Sequence, residues 1–449
     1  MGPLRHYREN PMQQTVLRAY RYALDPTPAQ ADMLASHAGA ARWAYNHALA
    51  VKITAHKQWK QLVAELVETG IPKAEARKQA NQQVKIPTKP EIQKALNQVK
   101  GDSRKGIDGL CPWHHEVSTY AFQSAFEDAD AAWKNWLAST KGERKGPQVG
   151  YPKFKVKGKS RDSFRLYGTI RLVGYRRLFL PRIKEVRLHG SGKELARLVE
   201  RGDAVIQSVT VSRGGHRWYA SVLAKVTMDI PDTPTKKQQT RGMVGVDLGV
   251  KALAALSKPL NPDDPATALV PNARHLAAAE RRLKKADRAL SRKTKGSNRR
   301  IKAERRVAKL RHQVAVRRAS TIHQVTKRLA TEFATIAIED LNIAGMTRSA
   351  KGTIDAPGKN VRAKAGLNRN ILDAALGEFR RQLEYKTAWY GSQLVVVDRW
   401  LPSSKTCSAC GTVKETLRLS DRVFVCDACG MRLDRDLNAA RNIEAAARL

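Results

Sequence analysis

Residues 403–411 read SSKTCSACG, and residues 426–442 read CDACGMRLDRDLNAARN. Two Cys-x-x-Cys pairs, Cys407/Cys410 and Cys426/Cys429, stand fifteen residues apart. A glycine follows each pair, at Gly411 and Gly430, where a tight knuckle needs positive φ and backbone N–H groups turned towards the sulfurs. Four thiolates at this spacing suit Zn2+, whose lack of geometric preference lets two knuckles close on one tetrahedral ion. Two disulfides are the competing reading, but no secretory segment is present to favour them. Six residues separate Cys429 from Asp436, in the run DRDLN that opens an alanine-rich terminal helix. A carboxylate at a helix start beside a metal knuckle directs attention to partner acids elsewhere.

The 449 residues hold 82 Lys and Arg against 41 Asp and Glu, a formal charge of +41. So large a surplus repels itself unless a polyanion is the usual partner: nucleic acid first, an anionic membrane surface second. A hydrophobic content of 42% is too high for a wholly disordered chain. No run of eighteen apolar residues exists to span a bilayer. The opening MGPLRHYRENPMQQ lacks the apolar region of a signal peptide, and residues 1–15 read as a disordered extension. Four cysteines assigned to zinc fit a reducing cytoplasm. The fifth, Cys111, sits in CPWHH without a fourth ligand in view.

In the first half, residues 16–24 alternate as a strand with Tyr20, Tyr22 and Leu24 on one face. Asp25-Pro26 stops it, and Thr27-Pro28-Ala29-Gln30 opens a helix striped with Leu34, Ala38, Ala41, Tyr45 and Ala48. A basic helical stretch is expected to about residue 85, then a short capped helix and a glycine-rich loop over 101–116. Phe122, Phe126, Ala129, Trp133, Trp136 and Leu137 stripe a further helix. Residues 141–165 turn to glycine, proline and basic residues, with Tyr151, Phe154 and Phe164 interleaving lysines such as Lys153 and Lys155. That texture suits a loop that holds a phosphate backbone and stacks on bases. Strands over 168–188 and a hairpin of 205–212 with 218–226 complete a small β-barrel interrupted by a helical insertion. Residues 227–241 read as a linker.

In the second half, residues 243–249 (MVGVDLG) form an apolar strand holding one acid, Asp247, between two glycines small enough for a phosphodiester to approach. A buried carboxylate is costly unless something binds it. Residues 250–256 read as the antiparallel partner. A helical hairpin over 273–332 turns at TKGSN and carries twenty Lys/Arg against three acids between Arg274 and Arg328. That excess points the hairpin, including Arg281, Arg282, Arg299, Arg300 and Lys302, at nucleic acid. Residues 333–341 form a strand ending in Glu339 and Asp340, which the period of two turns to opposite faces. A helix around 367–390 and a strand over 394–397 precede the cysteine segment.

This order of elements is that of an RNase H-like α/β fold, in which three acids from distant positions meet at one end of the sheet. Three carboxylates with water and phosphate oxygens suit two Mg2+ ions and phosphodiester hydrolysis.

The sequence resembles the transposon-encoded TnpB family, the RNA-guided nucleases related to type V CRISPR effectors. The carrying segments are GVDLGVKALA (245–254), IEDLNIAGM (338–346), residues 366–391, DRWLPSSKTCSACG (398–411) and CDACGMRLDRDLNAARNI (426–443). RYALDPTPAQ, AARWAYNHAL, GYPKFK and SRDSFRL match in the first half. The resemblance implies that Asp247, Glu339 and Asp436 form a RuvC catalytic triad holding two Mg2+ ions. It also implies a wedge β-barrel (16–27 and 141–226) carrying a helical recognition insertion (28–140), then a RuvC-like domain (242–400 and 431–449). The zinc ribbon over 401–430 becomes a target-nucleic-acid-binding segment. Guide RNA and target double-stranded DNA are the implied partners, and a cytoplasmic, nucleoid-associated site of action follows. A guide-dependent repressor that binds without cutting is the competing function; it would be marked by loss of an acid, and all three are present. A plain basic RNA-binding zinc ribbon would have no use for them.

Overall fold

The computed structural model describes residues 13–418 and 420–448, in two compact units, one of residues 15–228 and the other of the remaining described residues, 13–14 and from 229 onward. Of the expected N-terminal extension, residues 1–12 lie outside the described residues; Gln13 already begins a strand.

The first unit opens within β1 (Gln13–Asp25), followed by α1 (Pro28–Glu68). Thr27 caps α1 reciprocally: its hydroxyl accepts from the Gln30 N–H, and Gln30 Oε1 accepts from the Thr27 N–H at 3.1 Å. The helix ends at Thr69-Gly70, with Gly70 at φ +91°, and Pro72 prevents its continuation to residue 85. Two shorter helices, α2 (Lys73–Gln83) and α3 (Lys89–Val99), lead to α4 (Thr119–Thr140). The small-residue stripe of α1 meets Phe122, Phe126 and Ala129 of α4 in one core. Buried Lys52 donates to Asp130 at 2.9 Å and to the Pro87 carbonyl, joining the two helices through a charge pair that periodicity could not foresee.

The strands β2 (Ser163–Leu166), β3 (Arg171–Val173), β4 (Arg177–Leu180) and β5 (Lys184–Leu188) follow. Then come α5 (Lys193–Glu200), β6 (Ala204–Gly214) and β7 (Arg217–Asp229). The seven strands form one sheet in the order β2-β6-β7-β1-β5-β4-β3. β6 and β7 meet across the two-residue turn Gly215-His216, where Gly215 takes φ +68°. Phe164, expected among stacking aromatics, belongs instead to β2 and is buried in the core.

The second unit begins with α6 (Lys236–Arg241), a capped turn of helix inside the expected linker. Next are β8 (Met243–Leu248), β9 (Ala252–Leu256) and β10 (Leu269–Pro271). The hairpin α7 (His275–Ser291) and α8 (Asn298–Glu332) leads into β11 (Thr335–Glu339). After α9 (Ile343–Met346), the single helix expected around 367–390 is two, α10 (Val361–Ala374) and α11 (Leu376–Tyr390). Ala375, at φ +53°, breaks them apart. β12 (Gln393–Val397), the ribbon strands β13 (Val423–Val425) and β14 (Arg432–Asp434), and α12 (Arg435–Ala446) complete the unit.

The five-stranded sheet runs β10-β9-β8-β11-β12; β8, β11 and β12 are parallel, and β9 runs antiparallel to both its neighbours, β8 and β10. Alternation divides its strands between two faces. Val244, Val246, Ile336 and Ile338 bury against Leu329, Phe379 and Leu383 from α8 and α11. Ala337 and Val397 meet Ile443 of α12 on the other face. Gly245 lies under α12, where a Cβ would come within 2.0 Å of the Ala440 carbonyl and 2.6 Å of the Glu444 N–H. This glycine admits the helix to the strand, not a phosphodiester as the sequence suggested.

Candidate metal centres

The first centre is the four-cysteine cluster. Gly411 and Gly430 take φ of +77° and +73°, and their N–H groups donate back to the carbonyls of Cys407 and Cys426. The two knuckles thereby aim all four sulfurs inward, each within 4.8 Å of the others. Cys407 and Cys429 stand 3.7 Å apart, and Cys410 and Cys426 3.6 Å, with no disulfide formed. Sulfurs bound at ~2.3 Å to one tetrahedral ion lie about 3.8 Å apart, so the donor set and spacing fit Zn2+. Phe424 and Met431 pack beneath Cys407 and Cys426, and the antiparallel β13–β14 pair closes the ribbon. Cys111, by contrast, is wholly buried in the core of the first unit.

The second centre stands on the α12 face of the five-stranded sheet. Parallel register sets Ile338 opposite Val246, so the next pair, Glu339 and Asp247, lies abreast at the strand ends. Both share the face of Ala337 and Gly245, over which α12 carries Asp436 in its first turn. Asp247 is half-buried. Burial pushes its carboxyl up to about 7, the charges of Glu339, Asp436 and Asp434 adding to the shift and Arg435 opposing it. Burial also raises Glu339, against a hydrogen bond from the Ser403 hydroxyl. Among the described residues, the four cysteines alone bring three or more such donor groups close enough to hold one ion as the chain stands. Several hard oxygen donors repelling one another in a partly desolvated recess fit divalent cations such as Mg2+.

The neighbouring acids have other duties. Asp340 turns away and is held by Arg380 at 2.5 Å and by Arg399, which keep its carboxyl below the usual range. Asp434 caps α12 through its side chain.

Of the basic residues singled out, Lys153, Arg281, Arg282, Arg299 and Lys302 are exposed. Lys155 and Arg300 are not presented in the same way. The Lys155 ammonium lies 4.0 Å from the Tyr45 ring centroid, its backbone pairs with the Asn46 amide, and burial lowers its affinity for the proton. Arg300 ties the hairpin turn together, donating to Glu304 at 3.0 Å and to the Lys293 carbonyl at 3.0 Å. Tyr151 packs edge-on against Trp136 at 4.7 Å, and Phe154 remains 49% exposed. Sequence reasoning missed Ser403, Asn438 and Asn442, all within the quoted segment. Periodicity marks apolar faces and carries no signal for a buried amide or hydroxyl.

Three family models match the chain: "Probable transposase" over residues 224–350, "Cas12f1-like, TNB domain" over 377–443 and "Helix-turn-helix domain" over 12–61. A putative RNA-guided DNA endonuclease of Mycobacterium tuberculosis is 36% identical over 95% of this chain and 86% of its own length. The putative RNA-guided DNA endonuclease InsQ of Escherichia coli is 32% identical over 96% and 92%. A chain from a Cas12f1-sgRNA-target DNA complex aligns over 96% of this chain and 99% of its own, at 14% identity and a TM-score of 0.44, too slight a likeness to carry the fold. Among the described residues no helix is long and apolar enough to cross a membrane. Identity at this level over nearly the whole length of these relatives decides the kinship: the chain belongs to the TnpB family of putative RNA-guided DNA endonucleases.

Proposed function

We infer that this protein is an RNA-guided DNA endonuclease that cuts target DNA at a RuvC-like site formed by Asp247, Glu339 and Asp436. The observation that carries this reading is the gathering of these acids at the end of the five-stranded sheet, in a chain whose relatives bear that name. When bound, two Mg2+ ions supply activation of the attacking water and charge neutralisation at the leaving 3′ oxygen. The residues' own part is to hold oxygen donors at one face of a rigid sheet while the surrounding protein limits water. Asp247 and Glu339 do so from adjacent strands, and Asp436 from the first turn of α12.

In this reading guide RNA pairs with the target strand and supplies sequence specificity, while the protein reads heteroduplex shape and a short flanking DNA motif. The exposed cations of α7 and α8 and Lys153 would meet phosphates, and the first unit would serve as the wedge barrel with its recognition helices. The zinc ribbon is structural and faces target nucleic acid, and the protein acts in the cytoplasm on chromosomal DNA.

The test is to purify the protein with the RNA that accompanies it, sequence that RNA, and offer a matched double-stranded target with Mg2+. Cleavage that vanishes in Asp247→Asn while target binding persists supports the reading. Guide-dependent binding without cleavage by the unaltered protein would replace it with the repressor.

A further inference from the structure

Two asparagines of α12 and one serine of the ribbon connect the cysteine cluster to the acids. Asn438 and Asn442 lie one helical turn apart and are buried, at 0% and 8% exposure. Asn438 Nδ2 donates to the Thr406 carbonyl at 2.7 Å, and its Oδ1 accepts from the Ser408 N–H at 2.9 Å. Asn442 Nδ2 donates to the carbonyls of Ser403 at 2.7 Å and Thr406 at 2.6 Å. Both amides are therefore committed to one segment, residues 403–408, which enters the first zinc knuckle. A buried amide that satisfies the backbone of a loop fixes the distance between loop and helix, because leaving either partner unpaired is costly.

At the start of this segment the buried Ser403 hydroxyl donates to Glu339 Oε1. The segment itself is tightly turned, with the Ser403 N–H on the Leu401 carbonyl at 2.8 Å and the Thr406 N–H on the Pro402 carbonyl at 3.0 Å. The terminal torsion of a glutamate is broad and roughly two-fold, so a donor on one oxygen restrains the plane of the carboxylate and leaves the other oxygen for a cation.

We propose that Ser403 is a positioning residue for Glu339, and that Asn438 and Asn442 tie its placement to the zinc-bearing knuckle. A folded ribbon is then a condition for a formed acid cluster. The proposal rests on the reading of Asp247, Glu339 and Asp436 as ligands of divalent cations. Groups that orient a metal-ligating side chain typically alter metal affinity by about 10–100-fold. Because coupling is reciprocal, whatever loosens the ribbon also loosens the cation.

The experiment titrates Mn2+ into the full-length, zinc-loaded protein and follows free Mn2+ by electron paramagnetic resonance. Ser403→Ala is expected to weaken Mn2+ binding about tenfold or more. The Mg2+ concentration needed for half-maximal cleavage should rise by a similar factor, with zinc content unchanged. Ser403→Thr, which keeps the hydroxyl, should restore both. Asn442→Leu, close in shape but without the donor, should weaken Mn2+ binding while zinc is retained. Wild-type affinity in Ser403→Ala, beside lost affinity in Asp247→Asn, overturns this proposal and leaves the nuclease reading standing. Wild-type affinity in both variants overturns the metal-ligand reading as well. A threonine variant as weak as the alanine one assigns the effect to packing and overturns the positioning role.

Discussion

Asp434 Oδ1 accepts hydrogen bonds from the backbone N–H groups of Asp436 at 2.9 Å and Leu437 at 3.2 Å, so one acid caps the helix that presents the other. The two carboxylates stand two residues apart with different work to do. Replacing Asp434 by Ala should cost about 1 kcal/mol, as loss of an N-cap does, while Asp434→Ser should recover most of it. Cleavage should survive in Asp434→Ser and disappear in Asp436→Asn. The reverse pattern in a cleavage assay would exchange their roles.

Asp247→Asn and Glu339→Gln should each abolish cleavage while guide RNA and target binding remain near wild type. Asp340→Ala is the control on the opposite side of the strand end. It loses its ion pairs with Arg380 and Arg399, which are partly exposed and contribute modestly, and substantial activity should persist. A dead Asp340→Ala would show that the alternation argument had picked the wrong face.

The raised carboxyl of Asp247 has a thermodynamic consequence. With a folded value of about 7 against an ordinary 3.8, the native protein keeps a proton that the unfolded chain releases between these limits. Stability from this group is therefore present below about pH 4 and is lost as pH rises through about 7. Relative to Asp247→Asn, the zinc-loaded protein in buffer stripped of free divalent cations should lose Tm over this window. Added Mg2+ should raise Tm more at pH 8 than at pH 5, and Asp247→Asn should remove that difference.

Cys426→Ser should release zinc and unfold the ribbon, since closing two knuckles on one ion is worth roughly 10–16 kcal/mol in small zinc peptides. The first unit, with its separate core, should remain resistant to protease. Zinc analysis and limited proteolysis would read both outcomes, and active wild-type protein without zinc would sink the assignment.

Reversing Arg281, Arg282, Arg299 and Lys302 to Glu should weaken nucleic-acid binding. The slope of log affinity against log salt should fall by roughly 0.9 for each phosphate that is no longer neutralised. Arg300 is left out because its guanidinium holds the hairpin turn, and its loss would confuse folding with binding. An unchanged slope would return α7 and α8 to the status of a solvated face.

Much of the α12 site is legible in the sequence. The alternation of residues 333–341 separates Glu339 from Asp340, and the two glycine-ended knuckles announce the cysteine cluster, because both depend on spacing within a few residues. Gly245 is visible there but misleads: its small size serves a helix that arrives almost two hundred positions later. Lys155 reads as a phosphate contact, yet an aromatic face from α1 takes up its charge. Buried Lys386, whose ammonium donates to the His323 carbonyl and to Thr326 and sits depressed to about 8 by burial, lies on a helix face that charge alone would mark as solvent-exposed.

By itself the sequence determined most of the strands and long helices in order and the four-cysteine cluster, since hydrophobic period, turn chemistry and ligand spacing are local properties of the chain, and its resemblance to a family named the candidate acids. The tertiary structure alone decided which of these groups share a field. The parallel register sets Asp247 beside Glu339, the bare backbone at Gly245 lets α12 descend on them, and Ser403, whose carbonyl buried Asn442 holds, donates to Glu339. Each is a contact between residues far apart in the chain, selected by the packing of the whole unit and therefore invisible to any rule of neighbouring residues.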